Sequence, residues 1–131
     1  MKVKVIGIPV HNQAEALTFY TEKLGFVKKN DISLDQGKRW LTVIPKGEED
    51  ATEVLLEPSP SHFEPAKVYQ KALFQAEIPY TQFRVESVDK EYEKLKNFDV
   101  EFLKKPTNMG ESKIAIFNDT CGNWIQIVEL L

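Results

Sequence analysis

Apolar and polar residues alternate from Val3 to Val10, and the β-branched content of that run predicts a strand, with Pro9 suited to an edge or a strand end. Asn12-Gln-Ala-Glu15 reads as a capping box, in which the Asn12 side chain accepts from the Glu15 amide while Glu15 reaches back to the Asn12 amide. Ala14, Leu17, Phe19, Tyr20 and Leu24 then form a broad apolar stripe suited to lying on a sheet, and Gly25 supplies the left-handed residue that stops the helix. Three strands are predicted next, at about 27–33, 39–44 and 53–57, with Asp35-Gln-Gly37 and Pro45-Lys-Gly47 as turns.

The pattern breaks at Pro58-Ser-Pro-Ser61, and Ala66, Tyr69 and Leu73 give the following stretch a weakly helical spacing. The outline then repeats. A strand is predicted over 80–85, and a helix over 88–96 with Ser87 as its cap and Val88, Tyr92 and Leu95 on one face. Strands follow near 101–104, 113–118 and 123–129. Strand, helix and three strands, twice over, imply a duplicated α+β fold, because one helix cannot cover both faces of a four-stranded sheet. The expected organisation is a single domain of two βαβββ modules, about 1–58 and 79–131, joined by a connector at 59–78.

Composition narrows the function classes. The chain has 131 residues, 42% of them hydrophobic, enough for one compact core. A formal net charge of −3 with interspersed signs argues against nucleic acid and anionic membrane as partners, and the pairs Lys28-Lys29 and Lys104-Lys105 read as solvated surface. Cys121 is the single cysteine, which excludes an intrachain disulfide and a cysteine metal cluster. With no spanning apolar run or cleavage pattern at the start, a cytoplasmic location is expected.

Phe19-Tyr-Thr-Glu-Lys-Leu-Gly-Phe26, Arg39-Trp-Leu-Thr-Val43, Val54-Leu-Leu-Glu-Pro58, the Asp119, Gly122, Asn123 turn and Ile125-Gln-Ile-Val-Glu129 together resemble the glyoxalase, bleomycin-resistance and extradiol-dioxygenase (vicinal oxygen chelate) superfamily. The resemblance runs over nearly the whole chain in the right order. It implies that each module curls its sheet into half of a cup, forming a cup-shaped mixed sheet with the helices outside and a ligand inside. On that basis, strand alternation turns Ile6, Ile8 and Val10 to the first helix and Val5 and Gly7 inward. Phe83 and Val85 should pack under the second helix. Tyr80, Gln82, Arg84, Glu57, Trp124, Gln126 and Val128 are assigned to the cup.

Metal-dependent members of that superfamily place one ligand on the first and one on the last strand of each module. Carried over by position, these are Val5, Glu57, Tyr80 and Gln126. The Val5 side chain has no lone pair, and a tyrosine phenol is an uncommon ligand, so no catalytic metal is expected, a divalent ion remaining the less favoured alternative. His11 and His62 lie outside these strand positions.

The remaining candidates are Glu57, as a catalytic base or a structural carboxylate, and Trp40, Tyr80 and Trp124, as an aromatic wall or as core filling. Gln82, Arg84 and Gln126 would orient a ligand. Lys105-Pro-Thr-Asn-Met-Gly-Glu-Ser112 reads as a polar link between strands in which Met109 offers an adaptable contact, with a solvated hairpin as the alternative. Thr120 and Cys121 depart from the Pro and Asp usual in similar turns, which predicts a less rigid turn. The favoured function is binding of a small organic molecule without a metal. The alternatives are a divergent metal-dependent lyase or dioxygenase, or a metal-free enzyme using Glu57 as base. The resemblance also implies a homodimer, with exchange of modules between chains left open.

Overall fold

The computed structural model describes residues 1–59 and 63–131, and the chain divides into two compact units, Met1–Tyr69 and Gln70–Leu131. Each holds a four-stranded mixed sheet, as the sequence pattern predicts.

In the first unit the strands are β1 (Val5–Val10), β2 (Phe26–Ser33), β3 (Arg39–Pro45) and β4 (Glu53–Pro58), in the order β1-β4-β3-β2 with β1 parallel to β4. Helix α1 (Gln13–Thr18) starts where Asn12 Oδ1 accepts from Glu15 N at 2.9 Å. It continues as a π-helical turn over Phe19–Lys23 and ends before Gly25, whose φ is 82°. Ile8 and Val10 of β1, Leu41 and Val43 of β3 and Val54 and Leu56 of β4 are buried with Ala16, Phe19 and Tyr20, each of the Val, Ile, Leu and Phe side chains stabilising the fold by about 1.5–3 kcal/mol. The predicted stripe is corrected at its start: Ala14 is exposed, and Gln13 and Ala16 turn inward instead. The change from α to π winding shifts the inward face, so a period counted back from Tyr20 misses it.

In the second unit β5 (Thr81–Arg84), β6 (Phe102–Asn108), β7 (Ser112–Asn118) and β8 (Trp124–Leu130) take the order β5-β8-β7-β6. Helix α2 (Glu64–Gln75) crosses from one unit to the next, and α3 (Val88–Asn97) is capped by Ser87, whose Oγ accepts from Lys90 N at 3.3 Å. Glu129 adds a second tie, accepting from Val88 N at 2.9 Å. Val88, Leu95, Ala115, Phe117, Ile125 and Ile127 supply the core, and Phe102 meets Tyr92 edge-on at 4.6 Å. The segment read as a polar link is a strand up to Asn108, leaving only a hairpin tip at Met109, Gly110 and Glu111. Its lysines and Pro106 are the chemistry of an edge strand, which β6 is. Among the described residues, no helix is long and apolar enough to cross a membrane.

Candidate functional site

The first sheet turns one face toward α1, and alternation assigns Val5, Gly7, Asn30, Ile32, Trp40, Thr42, Glu53, Leu55 and Glu57 to the other. On that second face Glu57 lies back over β1. A Cβ built on Gly7 would overlap Glu57 Oε1 and stand 3.0 Å from its Cδ, so the missing side chain makes the room in which this carboxylate sits. Further along β4, Glu53 is buried, and its Oε1 accepts from Thr42 Oγ1 at 2.7 Å and from Asn30 Nδ2 at 2.8 Å. Trp40, 38% exposed, and Ile32, 55% exposed, pair with each other two residues along from Thr42 and Asn30 and present apolar surface on the same face.

Gln13 holds the region from the opposite side. β3 and β4 pair at Thr42–Leu55 and Val43–Val54, and beyond these the Gln13 carboxamide bridges the two strands. Nε2 donates to Arg39 O at 2.7 Å and Leu56 O at 2.8 Å, and Oε1 accepts from Arg39 N at 3.0 Å. A side chain from α1 therefore completes backbone hydrogen bonds that the sheet leaves open. At the strand edge, Arg39 grips Asp31 through two bonds, Nε to Oδ1 at 2.9 Å and Nη2 to Oδ2 at 2.8 Å. That guanidinium is the chief reason the Asp31 carboxyl is held down at about 2.

In the second unit, Gln82 and Gln126 are register partners, and Gln126 Nε2 donates to Gln82 Oε1. Trp124 is drawn elsewhere. Its ring stacks on Phe74 at 4.8 Å and 2° between planes, its indole N–H donates to Phe74 O at 3.1 Å, and only 7% of it is exposed. Core filling is thus the observed role of Trp124. Tyr80 is half-buried and its backbone N–H donates to Trp124 O, Arg84 is exposed beside Glu86 and Leu130 in an open surface depression, and Met109 is 58% exposed at the hairpin tip. The turn before β8 is organised by Asp119. Its carboxylate accepts from the N–H groups of Cys121 and Asn123 at 2.8 and 3.0 Å and from Asn123 Nδ2 at 2.8 Å, while Thr120 and Gly122 take positive φ. Gln70 of α2 adds bonds to Cys121 O and Asn123 Oδ1.

A family model for the glyoxalase/bleomycin resistance protein/dioxygenase superfamily matches residues 2–127. The chain belongs to that superfamily. It is 50% identical over 130 residues to the uncharacterized protein YurT of Bacillus subtilis (strain 168), spanning 98% of this chain and 99% of the relative. Among solved structures, UcmS2 matches with a TM-score of 0.82 at 32% identity over 98% of both chains. TnmS3, an antibiotic binding protein from Streptomyces sp. CB03234, matches with a TM-score of 0.76 at 26% identity, over 100% of this chain and 97% of the other.

The two halves of this superfamily protein correspond strand for strand, β1-β4-β3-β2 with β5-β8-β7-β6. Five residues before the helix caps Asn12 and Ser87 stand Gly7 and Gln82, and their register partners are Leu55 and Gln126. The counterpart of Gln126 in the first half is therefore Leu55, not Glu57, which pairs with Pro9 and corresponds to Val128. Sequence ends misled here, because the acid closing Thr52–Glu57 falls two residues past the equivalent slot. Among the described residues, no group of three or more His, Cys, Asp or Glu side chains has metal-holding geometry. His11 is exposed before α1, and His62 lies outside the described residues. Glu53, Thr42, Asn30 and Gln13 are absent from the sequence-based candidates. Glu53 was legible in principle, since an acid two residues before Leu55 must share its face.

Proposed function

We propose that this protein binds a small organic molecule on the face of the first sheet turned away from α1, and that it does so without a catalytic metal. The observation that carries the reading is the side-chain chemistry at the register-matched positions. Gly7 and Leu55 in the first half carry no polar side-chain atom, and Gln82 and Gln126 in the second are amides bonded to one another. Such a set does not fit the His and Glu donors of a divalent lyase or dioxygenase centre, and no step is derived through one. Exposed Trp40 and Ile32 offer flat apolar contact, and Glu57, fixed over Gly7, offers a directed acceptor. The antibiotic-binding activity named for TnmS3 supports the same class of role.

The competing reading, base catalysis by Glu57, is favoured by the shaped space that Gly7 leaves for that carboxylate. Native mass spectrometry of protein purified without a histidine tag tests the proposal, including the expected homodimer. The expected spectrum is a metal-free dimer that retains added aromatic ligands, and a Glu57→Gln variant should still bind them. One tightly held transition metal per chain would defeat the metal-free reading, and turnover abolished by Glu57→Gln would replace binding with catalysis.

A further inference from the structure

Glu53 is an acid in a setting that asks for a cation. It is 9% exposed, its Oε1 accepts from both Thr42 and Asn30, and Oε2 takes no hydrogen bond from the described residues. Both donors are neutral. Lys29, which attracts Glu53 electrostatically, is committed to Glu49, with Nζ at 3.0 Å from Oε2. Thr42 is fully buried and in register with Asn30 on one side and Leu55 on the other, so the carboxylate is fixed by the sheet. The same face carries a second acid, Glu57, and exposed Trp40 and Ile32, while alternation assigns it no lysine or arginine from β1, β3 or β4.

Among the described residues no buried side-chain oxygen lacks a partner, so Oε2, which takes no bond, is open to solvent and to an incoming cation, while two neutral donors hold Oε1 in place. An oriented acid on the sheet face that also carries an exposed indole, two residues along β3 from the Thr42 that holds the acid, matches one ligand chemistry, a flat molecule bearing a protonated amine or amidine, held by a charge-assisted bond and by cation–π contact. We infer that Glu53 is the recognition acid of the first half and that the ligand is an aromatic cation. The inference rests on the small-molecule-binding reading and names its ligand class.

Proflavine, cationic at mildly alkaline pH, and acridine, its neutral parent under the same conditions, serve as probes, with binding to the intact protein read by calorimetry. Wild-type protein should bind proflavine at least ten times more tightly than acridine. Glu53→Gln, which retains an acceptor for Thr42 and Asn30, should remove that preference and leave acridine affinity within about twofold, a tenfold change being about 1.4 kcal/mol. Glu53→Asp, keeping the charge on a shorter arm, should retain part of the preference if the glutamine variant folds poorly. Equal affinities in the wild type, or equal losses for both probes in Glu53→Gln, would overturn the role of Glu53 while leaving small-molecule binding intact. Failure of both probes to bind the wild type would overturn both readings.

Discussion

Replacing Gln13 with leucine removes the device that joins β3 to β4 where their pairing stops. Three backbone groups lose partners: Arg39 N, Arg39 O and Leu56 O. The bond to Leu56 O is buried and those to Arg39 are partly so, which sets the magnitude. A buried polar group stripped of its partner costs about 1–3 kcal/mol, and a group that water can reach costs less, so the three losses come to about 3–4 kcal/mol. Leucine is close to glutamine in size, and its burial returns about 1–2 kcal/mol. The net expectation is a loss of about 2 kcal/mol, measured by urea unfolding with an unchanged m value, together with faster exchange of the Arg39 amide. A loss below about 0.5 kcal/mol would refute the reasoning, since it would mean that Arg39 and Leu56 had found other partners and that the carboxamide closes no gap.

Gly7→Ala should separate position from stability. Gly7 is not among the glycines at positive φ, and the three atoms nearest the added methyl all belong to the Glu57 side chain, which can yield by rotation, so stability should stay within about 1 kcal/mol while affinity for a Glu57-dependent ligand falls. A stability loss above about 2 kcal/mol in thermal unfolding would show that Gly7 serves the backbone rather than the carboxylate. Asp31 gives a pH prediction with a definite sign. Its folded pKa, about 2, lies below the unfolded value, so its contribution is complete above about pH 4 and disappears as pH falls through about 2. Asp31→Asn should flatten the stability profile in that window, and an unchanged slope would show that the Arg39 pair does not carry it.

Most of the fold was legible because its signals are local. Asn12 and Ser87 announce their helices through a single side chain each, and the predicted strand limits agree with the observed ones to within a few residues. Gln13 was illegible for the opposite reason. Its partners lie 26 and 43 residues away, and no local pattern distinguishes a buried, bridging glutamine from a solvated one in the first turn. Trp124 shows the same limit, since its stacking on Phe74 depends on where α2 lies and not on the alternation of β8.

Register also determines what the duplication means chemically. Gly7 with Leu55 and Gln82 with Gln126 occupy the same two slots of the same βαβββ plan, yet one pair carries no polar atom in its side chains and the other is a bonded pair of amides. Polarity in the first half has moved to the positions on either side, Glu53 and Glu57, each two residues from Leu55 and therefore on the same face. One is anchored by neutral donors and the other fits the space left by a missing side chain. A centre that needs several donors converging on one point is poorly served by such spreading, whereas a ligand with extended area and separated polar groups is well served by it. That geometric preference, more than the loss of any single donor, is why binding is the better reading of this chain.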